Sequence, residues 1–163
     1  MESKLAKLTS LLWWVMTLAW AALIFCLSTR TFSSSFSRGL LSWMLHFLHL
    51  QVSSGAFDLL HALLRTLAHL AEYAILALLL YAFPLEKRQG LWQPWRAVIC
   101  IAIATAYSLT DEFHQLFVPG RHASLGDCGL DTIGATLAML VPYARKQISL
   151  LRSTTSSPRV RTL

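Results

Sequence analysis

Three short polar stripes in an apolar chain carry residue types able to do chemistry. Arg65, His69 and Glu72 stand at i, i+4 and i+7. Ser108, Asp111, Glu112 and Gln115 stand at i, i+3, i+4 and i+7, and Asp127 and Asp131 at i and i+4. In a helix each set shares one face. An imidazole among carboxylates in a partly dry site suits general acid–base work. His69 would be the acid or base, Glu72 or Asp111 its orienter, and Arg121 a clamp for a phosphate or carboxylate. Ser108 or Ser124 would be the nucleophile, although their spacing singles out neither. A metal version would use His69, Glu72, Asp111, Glu112 and Asp131 around a hard or borderline divalent ion. No zinc-enzyme spacing accompanies them, so the expectation is that there is no cofactor. Cys26, Cys100 and Cys128 are widely spaced with no CxxC pair, which gives neither a disulfide framework nor a zinc signature.

The elements that position these stripes follow from composition. Of 163 residues, 55% are hydrophobic and 13% charged, about half the roughly 25% charge of a soluble domain. Mean hydropathy is +0.53. A net charge of +6 in such a chain sets membrane orientation and does not mark a nucleic-acid partner. The expected fold is an all-α membrane protein, a four-helix transmembrane bundle with spans at about 11–28, 64–83, 97–117 and 127–143. Lys4 and Lys7 ahead of the first run look like a secretory leader, but Phe25-Cys26-Leu27 offers no small-residue cleavage site, so the run is expected to stay as a span. Residues 1–10 form the N-terminus, and the basic residues 144–163 are expected to be a disordered tail. In the connection 29–63, Ser33 to Ser35 make a polar turn. Phe36, Leu40, Met44, Phe47 and Leu48 then recur at helical spacing, an outer-face amphipathic or re-entrant helix that either packs or roofs the site.

Placing both termini and the loop between the second and third spans on one side gathers ten of the 14 bases there: Lys4, Lys7, Lys87, Arg88, Arg96, Arg145, Lys146, Arg152, Arg159 and Arg161. That side is then cytoplasmic. Glu72 lies 14 positions from Glu86, Asp111 15 from Arg96 and Asp131 14 from Arg145. These separations correspond to about 21–23 Å of helix in a core of about 30 Å. Glu72, Asp111 and Asp131 therefore fall in one layer near the outer face, and their stripes are expected to converge. Pro119-Gly120 makes a tight outer turn. Ser124 fits a helix N-cap with Asp127 three residues on as a variant capping box. Arg121 above the pocket is either a counter-ion to Asp111, Glu112 or Asp127, or a ligand contact. Gly134 and Ala138 continue the Asp127–Asp131 face and invite close helix approach.

The order Arg65-x-x-x-His69-x-x-Glu72-Tyr73, Ala106-Tyr107-Ser108-x-x-Asp111-Glu112-Phe113-His114-Gln115, Pro119-Gly120-Arg121 and Asp127-x-x-x-Asp131-x-x-Gly134 resembles the VanZ-like family over residues 11 to 143. The serine run at 33–35 also resembles that family's serine motif, without the glutamine expected beside it. The resemblance implies a small bacterial multi-pass membrane protein. The family's namesake is associated with resistance to teicoplanin-type lipoglycopeptides. A binding site of Arg65, His69, Glu72, Asp111, Glu112, Gln115, Arg121, Ser124, Asp127 and Asp131 would meet membrane lipids, a lipid-linked envelope precursor or a lipoglycopeptide. Three readings stay open: a binding or transport module, which with four spans would need a homodimer to transport; an outer-face membrane enzyme; and a structural salt-bridge cluster.

Overall fold

A computed structural model describes residues 2–29, 34–82, 92–119, 121 and 123–155. They form six helices, α1 Glu2–Ser28, α2 Ser34–Phe47, α3 Ser54–Ala82, α4 Pro94–Gln115, α5 Leu125–Ala138 and α6 Leu140–Thr155, with no strand among the described residues. Lys87, Arg88, Glu86, the glycine of the Pro119-Gly120 turn, Ser33 of the serine run, and Arg159 and Arg161 of the tail lie outside the described residues.

The helices differ in how they meet apolar surroundings. α1 buries only a narrow face of Thr17, Ile24 and Ser28, and leaves Leu11, Leu12, Val15, Leu18 and Phe25 exposed. So much uncovered apolar surface is what a helix solvated by lipid presents. Lys7–Ser28 and Ser54–Ala82 are long and apolar enough to cross a membrane. α3 begins ten residues before the expected second span and takes in Asp58 and His61, so part of the supposed outer connection is helix. α4 replaces the third span, with a polar C-terminal third.

The fourth span is not continuous. α5 stops at Ala138 and α6 starts at Leu140, so 14 helical residues reach about 21 Å, short of a ~30 Å core. Pro142 lacks the N–H that would bond the carbonyl of Ala138 four residues back, and Met139 N turns to Thr136 O at 3.1 Å instead. The expected tail is also partly wrong: residues 144–155 are helical, continuing α6 with Arg145, Lys146 and Arg152 among apolar Ile148, Leu150 and Leu151.

α3 and α5 share the most extensive interface, and its closest point is Gly134. A Cβ there would lie 2.9 Å from Leu70 Cα and 3.0 Å from its carbonyl carbon. α1 is fastened to the bundle by side-chain donors on main-chain acceptors. Trp20 Nε1 donates to Glu72 O at 2.9 Å, and Tyr107 Oη donates to Ala21 O at 2.7 Å. At the opposite end Arg96, expected as a solvated flank base, is buried. Its Nη2 donates to Tyr81 O at 2.7 Å near the end of α3, with the guanidinium over the Tyr81 ring, satisfying a terminal carbonyl.

Among the described helices, α2 makes its close backbone contacts with α3. Its polar side is pinned by Ser37 Oγ to His61 Nε2 at 2.8 Å and by Arg38 to Asp58 at 2.8 Å. The helix ends where His49 takes a left-handed φ of 54° and Leu50 N reaches back to Leu45 O.

Candidate functional site

The stripes of α3, α4 and α5 meet, and the partners sort themselves into two groups. In the first, Arg65 Nη2 donates to Asp127 Oδ2 at 2.7 Å. One turn further in, His69 Nδ1 lies 2.9 Å from Asp131 Oδ1 while Ser108 Oγ donates to Asp131 Oδ2 at 2.5 Å. Asp131 is 2% exposed and both its oxygens are engaged. Such a charge is tolerated only when its hydrogen bonds are made. The carboxylate that orients His69 is thus Asp131, and the expected Glu72 or Asp111 takes no part. His69 Nε2 is left 3.8 Å from Asp127 Oδ2, beyond hydrogen-bond range.

The second group lies at the ends of α1 and α4. Gln115 Nε2 donates to Asp111 Oδ2 at 3.2 Å and to Ser28 Oγ at 3.0 Å. Asp111 Oδ1 and Gln115 Oε1 are buried with no hydrogen-bond partner among the described residues. Glu72, one turn of α3 beyond His69, makes no side-chain hydrogen bond or ion pair among the described residues.

The loop before α5 is built differently from a capping box. Ser124 is the N-cap and its Oγ accepts from Asp127 N at 3.2 Å, as expected. The reciprocal bond comes from across the bundle, with Ser124 N donating to Glu112 Oε2 at 2.6 Å, which leaves the Asp127 carboxylate for Arg65. Arg121 Nη2 donates to Leu27 O at 2.7 Å and Thr29 O at 3.3 Å, satisfying carbonyls at the end of α1. Burial and then Arg65 pull its pKa below the ordinary value, while Asp111, Glu112 and Glu72 pull it back; a guanidinium stays charged throughout.

A cleft of about 430 Å³ opens on these residues, within the usual range of small-molecule sites. Six of the ten expected site residues line it: Arg65, His69, Glu72, Asp111, Gln115 and Arg121. Glu112, Ser124, Asp127 and Asp131 do not line it; Asp127 and Asp131 hold Arg65 and His69, while Glu112 and Ser124 fix the start of α5. The rest of the lining is largely apolar, with Phe36, Leu40, Leu41 and Met44 of α2 and Ile24, Leu27 and Leu64 of α1 and α3, interrupted by Ser28, Ser37, His61 and Tyr73. The amphipathic helix α2 supplies one wall of the cleft. No three His, Cys, Asp or Glu side chains among the described residues are grouped to hold a metal ion, so the five proposed ligands do not come together as a set. Ser108 and Ser124, the two candidate nucleophiles, are committed to Asp131 and to Asp127 N. Trp20 and the bonding role of Ser28 escaped the sequence reading, which placed Ser28 at a span boundary and met Tyr107 only within a motif.

An all-helical chain with two apolar helices long enough to span a bilayer and a half-polar cleft between them is a small membrane protein. Residues 13–146 match the VanZ/LLP1 family, and the chain belongs to that family. No curated protein and no solved structure matches it.

Proposed function

We propose that the protein binds, or modifies, an amphiphilic ligand of the bacterial cell envelope in this cleft, with both termini in the cytoplasm and the cleft toward the outer face. The observation that carries this reading is the union of a largely apolar wall with a polar end whose Asp111 Oδ1 and Gln115 Oε1 lack partners among the described residues. Each unsatisfied buried acceptor costs about 1–3 kcal/mol, which a polar head group would relieve while its chain lay along α2. A lipid-linked envelope precursor fits that description, and so does an acylated glycopeptide of the teicoplanin kind, for which resistance would be the phenotype. If chemistry follows binding, His69 is the acid–base group, oriented by Asp131 with Ser108 holding that carboxylate.

Mass spectrometry of amphiphiles co-purifying with the wild type, and of envelope precursors in a deletion strain, tests this. A ligand retained by the wild type and lost in Asp111→Asn supports binding, and a precursor that accumulates on deletion supports modification. Finding neither refutes the proposal. Orientation is checked in a cysteine-free background: an outside reagent should label Arg121→Cys and spare Lys87→Cys, and the reverse pattern overturns it.

One observation favours a structural share for the cluster. Arg65–Asp127 and His69–Asp131 bridge α3 and α5 near their close contact, and Ser108 of α4 engages the second oxygen of Asp131. We read them as the clamp that holds the lining residues, and Glu72, Asp111 and Gln115 as the ligand-facing set.

A further inference from the structure

Helix α6 takes no part in lining the cleft. It follows the break at Met139, and its close backbone contacts among the described helices are with α5. Aromatic rings fix the depth at which it starts. Tyr143 meets Trp92 edge-on at 5.7 Å between centroids, and Trp92 packs on Tyr81 at 5.7 Å, at the end of α3 where Arg96 turns inward. Trp and Tyr concentrate at the level of the lipid head groups, so α6 leaves the hydrocarbon at this end of the bundle, opposite the cleft. Length agrees. Ser124 to Arg145 is 21 positions, about 31 Å of helix, and the hydrocarbon core is about 30 Å thick.

What lies beyond the core is nevertheless amphipathic. Leu140, Ala144, Ile148 and Leu151 recur at steps of four, four and three, and so share one face. Leu140, Ile148 and Leu151 are 50–67% exposed. Ser149 and Ser153 fall on the opposite face. The bases stand at the borders between the two, Arg145 and Arg152 on one side and Lys146 on the other, and Arg145 and Arg152 border an open groove with Ile148 and Ser149. No acidic residue occurs between Leu140 and Thr155. A helix projecting into water would leave its apolar stripe wet. Laid flat on a bilayer, the same helix buries the stripe and holds its border bases at the depth of the phosphates. We propose that α6 docks flat on an anionic lipid surface at the end of the bundle opposite the cleft. The partner is the bilayer itself, because a helix with three bases and no acid complements anionic head groups. This docking is independent of what the cleft binds.

The test uses the full-length chain in a cysteine-free background, reconstituted in nanodiscs of phosphatidylcholine alone or of phosphatidylcholine and phosphatidylglycerol in equal parts. An NBD fluorophore is placed on a single Ile148→Cys or Ser149→Cys. In the anionic discs the label at 148 should emit to the blue and be quenched by spin-labelled lipid, while the label at 149 stays in water. In phosphatidylcholine alone the label at 148 should move into water. Combining Arg145→Gln, Lys146→Gln and Arg152→Gln should release it from the anionic discs too. Each base contributes about a fivefold factor near an anionic surface, so the three together should lower the docked-to-free ratio by about a hundredfold. Tm should not change, because Arg145 and Arg152 are exposed and Lys146 half-exposed. Equal emission at 148 and 149 in the anionic discs overturns the docking. A blue shift at 148 of the same size in both lipids overturns the anionic preference. If 148 is shielded in detergent as well and the protein runs as a dimer, the face is a contact between copies and the proposal falls.

Discussion

Gly134→Ala tests the packing on which the whole site depends. The added Cβ would sit 2.9 Å from Leu70 Cα and 3.0 Å from its carbonyl carbon, and these are main-chain atoms that no rotamer change can move. The Leu70 carbonyl oxygen lies closer still, so restoring ordinary contacts of about 3.5 Å requires α3 and α5 to separate there by at least roughly 0.6 Å. The pairs that bridge the same two helices, Arg65–Asp127 at 2.7 Å and His69–Asp131 at 2.9 Å, would stretch toward about 3.3–3.5 Å, at or past the limit for N–H···O bonds. Overpacking alone costs about 1–3 kcal/mol, and weakening a charge-assisted bond adds to it, so about 2–4 kcal/mol is expected. For a chain of this size that is a fall in Tm on the order of 5–15 °C, measured by fluorescence-monitored melting in detergent. Gly129→Ala in the same helix is the control. Nothing lies within 4 Å of its Cβ position, and the gain in helix propensity of up to about 1 kcal/mol should leave Tm unchanged or raise it. Equal behaviour of the two variants would refute the close α3–α5 contact.

Other perturbations address the remaining parts. Asp131→Asn removes a doubly bonded buried carboxylate and should destabilise by about 3–5 kcal/mol, read as loss of monodisperse protein in size-exclusion chromatography, whereas Glu72→Gln should run as wild type. Trp20→Phe keeps the ring but loses the bond to Glu72 O, about 1 kcal/mol, so Tm should fall by roughly 2–4 °C; no change would place Trp20 outside the α1–α3 contact. Arg121→Gln releases the loop before α5 from α1, and limited proteolysis should then cut between Phe117 and Ser124 faster than in the wild type. Pro142→Ala restores the missing donor between α5 and α6 and should raise helicity by circular dichroism without loss of Tm.

What the sequence made legible was whatever depends on one helix at a time. Spacings of three and four residues put Arg65 with His69, and Asp127 with Asp131, on shared faces, and the structure uses those faces as expected. Ser124 was recognisable as a cap because capping is local. Choices between helices were not legible. Nothing in the spacing distinguishes Asp131 from Glu72 or Asp111 as the partner of His69; rotation and depth of three helices decide it. The same holds for Glu112 completing the cap of Ser124 and for Arg96 turning inward to Tyr81. The break at Met139 was legible in principle, because Pro142 removes a specific main-chain bond, but an apolar run hides a proline that costs little hydropathy. In the 29–63 connection the amphipathic helix was legible, but the early start of α3 was not, although Ser53 Oγ accepts from Ala56 N there, a local signal for a helix beginning.

The fastening of the bundle by side-chain donors on main-chain acceptors has a consequence for how such a protein drifts over time. Trp20 reaches Glu72 O, Tyr107 reaches Ala21 O, Arg96 reaches Tyr81 O and Arg121 reaches Leu27 O. Every residue carries the same main-chain carbonyl, so a substitution at the accepting position that keeps the helix leaves the bond intact. Mutational tolerance is therefore one-sided. At Ala21 and Leu27 these bonds place no demand on the side chain, while the donors that face them are held. A membrane protein wired in this way can be refitted to a different bilayer without rewiring its site.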